Sequence, residues 1–234
     1  MKLQGFLDHL LKSAQGGGAA PAPAGREPVA GAGSAGGGSG ALGNLGGLLN
    51  ADFGRGALSG GALGLLLGRN KTTRKLATYG GLAAIGVMAY KAYGDYQRQQ
   101  SGRAVEPATV DRLPPPQAEL HSEAILRAIV AAAKADGHID AREREVIEGE
   151  FRRVNADAEV QQWLHAELEK PLDPAEVAGA AASPEIASEM YLASLLVADE
   201  QSFMERAYLD ELARKLGIDD ALKSRLEAQL QKPA

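Results

Sequence analysis

The chain has 234 residues with 25 Lys and Arg against 30 Asp and Glu, a formal net charge of −5, and no cysteine. The lack of cysteine excludes disulfides, thiolate zinc sites and a cysteine nucleophile. The charge is unevenly divided, because residues 1–118 carry a net +6 and residues 119–234 a net −11. So acidic a half argues against nucleic acid as a partner.

The first 50 residues contain one short periodic segment and a long low-complexity one. Residues 1–12 carry apolar side chains at helical spacing, namely Leu3, Phe6, Leu7, Leu10 and Leu11. This spacing predicts a short amphipathic helix, which serves as an anchor, binds a partner, or is a frayed terminus without a role. Residues 13–50 are rich in Gly, Ala, Ser and Pro. They cannot bury enough apolar surface to offset their ordering entropy, which predicts a disordered linker.

Residues 51–96 combine a glycine series with two apolar runs. Glycine recurs at every fourth position, as Gly56, Gly60, Gly64 and Gly68. On a helix these positions form one bare stripe, which costs about 1 kcal/mol per glycine in water but lets helices approach closely in lipid. Basic residues follow between positions 69 and 75, and then an apolar run, 76–93, with tyrosines near its ends. The pattern predicts a membrane-associated hairpin whose glycine faces also support self-association.

The topology of this segment stays open at the sequence level. Its apolar runs, about 13 and 15 to 18 residues, fall short of the roughly 20 that a full span needs. A hairpin or oligomer is favoured, and a single span or a peripheral segment is the alternative. A hairpin with its basic tip in the cytoplasm places the acidic half outside.

Residues 97–118 are polar and end in three consecutive prolines, which predicts a stiff linker at a domain boundary. Residues 119–234 then read as one all-helical domain, because apolar stripes recur at helical period and no period-2 strand pattern occurs. The predicted helices are about 119–135, 141–153, 157–169, 174–182, 185–198, 203–215 and 219–231.

Two turns in this domain resemble each other. In each, an apolar helix ends in Ala-Asp, at Asp136 and at Asp199, and a Glu-Arg pair opens the next helix. A carboxylate at a helix C-terminus meets the negative end of the helix dipole. Two such placements indicate a compensating cation, with Glu143 and Glu205 as further ligands, or salt bridges to basic neighbours, namely Arg144 or Arg206. Oxygen ligands and scattered histidines favour calcium, magnesium or manganese over zinc.

The same residues carry a family resemblance. The turn 134–140 with Glu143, and the runs 191–196 and 208–213, resemble a TerB-like (tellurite-resistance) domain. The glycine-rich segment with 75–77 and 89–93 is similar to the YebE-type inner-membrane family of bacteria, which joins such a segment to a TerB-like domain. The resemblance implies an all-helical fold and a location at the bacterial inner membrane. It also implies a metal site on four acids, namely Asp136, Glu143, Asp199 and Glu205, and no established biochemical activity.

These observations favour a non-enzymatic, membrane-tethered module that binds a divalent cation, with a role in envelope or metal and oxyanion stress. The alternative is an oligomerising scaffold whose helical domain binds a protein partner without metal. A hydrolase that uses paired carboxylates and a metal ranks below both, since no phosphate-binding loop or nucleophile elbow occurs in the sequence.

Overall fold

A computed structural model describes residues 3–5, 7, 82–102, 106–135, 144–145, 147–149, 152, 157–198 and 202–231 of the chain. In these ranges the regular structure is helical throughout, which confirms the predicted all-α fold. The helices with defined bounds are α1 (Leu82–Ser101), α2 (Pro115–Ala133), α3 (Ala158–Glu169), α4 (Pro174–Ala178), α5 (Pro184–Val197), α6 (Phe203–Lys215) and α7 (Asp220–Gln231). The described residues between 144 and 152 are also helical.

Local sequence signals account for where these helices begin and end. In each of α3 to α7, a side-chain oxygen of the N-cap residue accepts a hydrogen bond from a backbone N–H of the first turn. These N-cap residues are, in order, Asp157, Asp173, Ser183, Ser202 and Asp219. Such N-caps satisfy amides that have no partner within the helix. Gly217 follows α6 with φ of 70°, a backbone conformation that glycine adopts without strain. The predicted bounds from residue 157 onward therefore agree with the structure to within a few residues.

The centre of the fold is a parallel pair of helices, α2 and α5. His121 contacts Glu189, and one to two turns later the Ser194 hydroxyl donates to the carbonyl of Ala128 at 3.4 Å. Every residue of α5 from Ile186 to Val197 is buried. A helix that is buried all round lies in the middle of a core, and α1, α2, α6 and α7 all pack on this one.

Helix α1 belongs to the same core, which differs from the prediction of a membrane-associated arm for residues 82–96. Its apolar face contacts α5 and α7, and its buried side chains include Ile85, Met88 and Ala92. From Leu82 onward, therefore, the predicted second arm of a membrane hairpin packs against protein. Among the described helices, none combines the length and apolar character that crossing a bilayer requires. The glycine series and the basic residues 69–75 lie outside the described residues.

Two tyrosines of α1, Tyr90 and Tyr96, make intramolecular contacts. The Tyr96 hydroxyl donates to Asp219 Oδ2 at 2.5 Å, which ties α1 to the N-cap of α7. The Arg112 guanidinium lies 3.9 Å from the centre of the Tyr90 ring, within cation–π range. Sequence alone does not distinguish such tyrosines from interfacial ones, because both kinds flank an apolar helix.

The connection from α1 to α2 is shorter than the predicted linker 97–118. Helix α1 continues to Ser101, and α2 begins at Pro115 within the proline run. Proline fits the first turn of a helix because the N–H that it lacks has no helical partner there. The prolines thus start a helix, and the predicted domain boundary at 119 differs from the packed unit, which includes α1.

Candidate functional site

Three of the four predicted metal ligands, Asp136, Glu143 and Asp199, lie outside the described residues. The fourth, Glu205, occupies the first turn of α6, and the residue is 9% exposed. Its backbone N–H donates to the Ser202 hydroxyl oxygen at 3.5 Å. Among the described residues, no group of three or more His, Asp and Glu side chains is arranged to hold a metal ion. The four-residue site therefore stays a prediction.

The helices that precede the two acidic turns are placed in a defined way. Because α2 and α5 run parallel, their C-terminal ends, Ala133 and Val197, lie at the same end of the domain. The residues directly before the acids are buried, with Ala135 3% and Ala198 2% exposed. Ala135 and Ala198, the last described residues before the two turns, thus lie at the same end of the helix pair.

A network of ion pairs connects the segment 144–149 to α3. The Arg144 guanidinium lies 3.2 Å from Glu169 Oε1, and His165 Nδ1 lies 2.7 Å from Glu148 Oε1. The hydrogen bond to Glu148 and the charge of Glu169 raise the pKa of His165. Arg144 was the first candidate for a salt bridge to an acidic turn, and among the described residues its ion pair is with Glu169.

Lys134, the last residue before the buried Ala135, also serves α3. Its ammonium donates to the carbonyl of Glu167 at 3.1 Å and to the carbonyl of Lys170. These carbonyls end α3, where the helix dipole favours a cation. Burial lowers the pKa of Lys134. Lys134, two residues before Asp136, thus binds the end of another helix, a role that the sequence pattern does not reveal.

The buried polar residues at the opposite end of the pair escaped sequence reasoning. Glu189 is 0% exposed on α5, and its carboxylate contacts His121 Nδ1 at 2.5 Å and accepts the N–H of Val110 at 2.6 Å. Burial raises the pKa of Glu189, and the hydrogen bond from His121 opposes that rise. The available signal was a glutamate inside a helix that is otherwise apolar all round.

Comparison with known proteins gives the family. The family model of the DUF533 proteins, described as proteins of unknown function, matches residues 52–230. The chain belongs to the DUF533 family. This is a TerB-like family, in agreement with the resemblance seen in the sequence.

A relative from Yersinia enterocolitica, an "uncharacterized protein in ampR 5'region", is 33% identical to this DUF533 member over 107 residues. Those residues are 46% of this chain and 77% of the relative. No solved structure matches. The region matched by the DUF533 model includes the glycine series and the helices α1 to α7 up to residue 230.

Proposed function

We propose that this DUF533 member is a non-enzymatic, membrane-tethered module whose helical domain binds a divalent cation through its two acidic turns. The cation is calcium, magnesium or manganese, because the available ligands are carboxylate oxygens. The observation that carries the proposal is the parallel packing of α2 and α5, which starts both turns from the same end of the domain.

The energetics of the helix ends support a cation at this position. Asp136 follows the end of α2 within three residues, and Asp199 follows the end of α5 within two. Each carboxylate therefore adds negative charge where the helix dipole is already negative. Glu205 is mostly buried at the start of α6, the helix that follows the acidic turn at Asp199. A divalent cation between the turns would offset all of these charges at once.

The test is calorimetric titration of the full chain with calcium, magnesium, manganese and zinc, each in turn. We expect saturable binding of at least one of the first three, and its loss in Asp136→Asn with Asp199→Asn. The matched control is Glu106→Gln with Asp220→Asn, which removes the same charge from two exposed residues. The proposal fails if wild-type protein shows no saturable binding, or if both pairs of substitutions weaken binding equally.

The membrane tether in this proposal is confined to residues before Leu82, because α1 is part of the packed domain. Its support is the stripe Gly56, Gly60, Gly64 and Gly68, which is costly in water and useful for helix packing in lipid. We expect the full chain to stay in the inner-membrane fraction of bacterial cells after carbonate extraction. Release of the whole protein by carbonate would eliminate the tether while leaving the cation proposal intact.

A second candidate function, an adaptor that self-associates and binds a protein partner without metal, is favoured by two exposed apolar residues. Phe203 is 73% and Met204 58% exposed at the start of α6. Exposed aromatic and methionine side chains are common in protein interfaces. We expect crosslinking in membranes to capture oligomers that Gly60→Leu with Gly64→Leu abolishes, whereas Ala62→Leu, which lies off the stripe, leaves them unchanged. Monomers alone in wild-type membranes would exclude self-association.

A further inference from the structure

The N-terminal segment is buried in the core although it is distant in sequence. Leu3 and Leu7 are both 0% exposed and belong to the same apolar cluster as the helices of the domain. Their spacing of four residues puts them on one face of the helical conformation that Leu3, Gln4, Gly5 and Leu7 adopt. The amphipathic segment predicted from sequence thus uses its apolar face to bind the domain of its own chain.

A carboxylate of α2 completes this contact. Glu119 Oε2 accepts the backbone N–H of Gln4 at 2.9 Å, and Glu119 Oε1 accepts the backbone N–H of Leu3. The first amides of a helix have no partner within it, and a negative group is favourable there. Hydrogen bonds to a charged acceptor are stronger than neutral ones. Glu119 therefore favours binding of a segment that presents the unpaired amides of a helix N-terminus together with apolar side chains.

The covalent connection between segment and domain sets the effective concentration of the segment at its binding site. Seventy-four residues separate Leu7 from Leu82, where α1 begins. A connection of that length gives the segment an effective concentration on the order of 1 mM at the domain. An equivalent segment from a neighbouring chain competes for the same position whenever its local concentration approaches that value.

We propose that the start of α2, with Glu119 and the apolar core beside it, is a receptor site for an amphipathic helix. The N-terminal segment that carries Leu3 and Leu7 occupies it in the same chain, and the same segment of a second copy is its partner in trans. The site is at the amino-terminal end of α2, whereas the acidic turns follow its carboxyl-terminal end, so the two proposals are independent.

The test uses a fluorescent peptide of residues 1–15 and two forms of the full chain. In wild-type protein the tethered segment competes, so the apparent Kd of the peptide is at least the effective concentration, about 1 mM. In the open chain, Leu3→Asp with Leu7→Asp, the receptor is vacant. We expect the peptide to bind the open chain at least tenfold more tightly than the wild type, measured by fluorescence anisotropy.

Two further variants separate specific recognition from general stickiness. In the open chain, Glu119→Gln should weaken peptide binding about tenfold, because it removes a charge-assisted acceptor of the helix amides. The matched control is Glu123→Gln, one turn further along α2, which should leave the affinity unchanged. A peptide that itself carries Leu3→Asp and Leu7→Asp should not bind. Circular dichroism establishes that each chain retains its helix content.

Three outcomes would overturn the proposal. The first is equal affinity of the peptide for the wild-type and open chains, and the second is no affinity for a folded open chain. The third is binding of the peptide to vesicles of anionic phospholipid with none to the open chain, which would assign the segment to a membrane surface.

Discussion

At the amino-terminal end of the α2 and α5 pair, the carboxylates of Glu119 and Glu189 are held by protein donors, namely backbone amides and His121. At the carboxyl-terminal end, Asp136 and Asp199 follow helices whose dipoles disfavour a negative charge. The first end therefore uses its acids for structure. At the second end, neutralising an acid should stabilise the fold, and a bound cation would compensate the repulsion between the acids and the helix dipoles. Removal of an acidic side chain should destabilise the fold at the first end, whereas removal of its charge should stabilise the fold at the second.

The largest expected effect is at the buried end. Glu189→Ala should lower the free energy of unfolding by about 3 kcal/mol, because it leaves the buried His121 and the Val110 N–H without their acceptor. Urea unfolding of the full chain measures this change. Glu189→Gln retains an acceptor oxygen and should cost clearly less. Equal losses in the two variants would show that the volume of the side chain matters and its hydrogen bonds do not.

The next effect concerns two glycines of α1, beside the same end. A Cβ on Gly86 would lie 3.0 Å from the backbone N of Asp111, whereas on Gly94 its nearest neighbour is Pro107 Cγ at 3.7 Å. We expect Gly86→Ala to destabilise by about 1–3 kcal/mol through overpacking. Gly94→Ala should stabilise by up to about 1 kcal/mol through helix propensity. Thermal unfolding of both variants checks the pair, and equal responses would contradict the packing of α1 on the 106–114 connection.

The pH dependence of stability tests the burial of Glu189 at the amino-terminal end of the helix pair. Burial raises the pKa of Glu189 above its ordinary value near 4.5, so the native state holds this proton to higher pH than the unfolded chain does. The free energy of unfolding should therefore fall as pH rises from about 4.5 to the native pKa, by up to about 1.4 kcal/mol per pH unit. Glu189→Gln removes this slope, and unfolding of both proteins from pH 4 to 8 measures it. Parallel pH profiles would place the titrating group elsewhere.

The smallest effect is at the other end and has the opposite sign. Without divalent cations, Asp136→Asn with Asp199→Asn should stabilise the chain, by about 0.3–1 kcal/mol for each residue, because each change removes an anion from a helix C-terminus. Urea unfolding in the presence of a chelator measures the gain. Added calcium, magnesium or manganese should reverse the order by stabilising only the wild type. Destabilisation in the chelator would mean that protein donors already hold these acids.

Much of the fold could be predicted because its signals are local. Helix α6, for example, runs from Phe203 to Lys215 as predicted, since Ser202 caps its start and Gly217 follows its end. The failures have one cause. Tyr96, for example, was interpreted as an interfacial membrane residue, yet its partner Asp219 lies 123 positions further along the chain. An apolar stripe does not indicate whether lipid or another helix covers it.

The candidate site divides in the same way. The duplication of the acidic turns is visible in the residues alone, and so is the amphipathic character of residues 1–12. Glu119 carries no sequence signal of its role, because a glutamate on a helix is ordinarily a solvated residue. The signal for Glu189 is its position inside a largely apolar helix.

By itself, the sequence determined the helices from residue 157 onward and their caps, since propensity, capping and periodicity act over a few residues. Only the tertiary structure decided that α2 and α5 run parallel, that α1 joins their core, and that Glu119 receives the amides of Leu3 and Gln4. Those features depend on contacts between distant residues, such as Leu3 with Glu119, 116 positions apart, and Tyr96 with Asp219, 123 positions apart. Burial of apolar faces selects such contacts without regard to sequence distance.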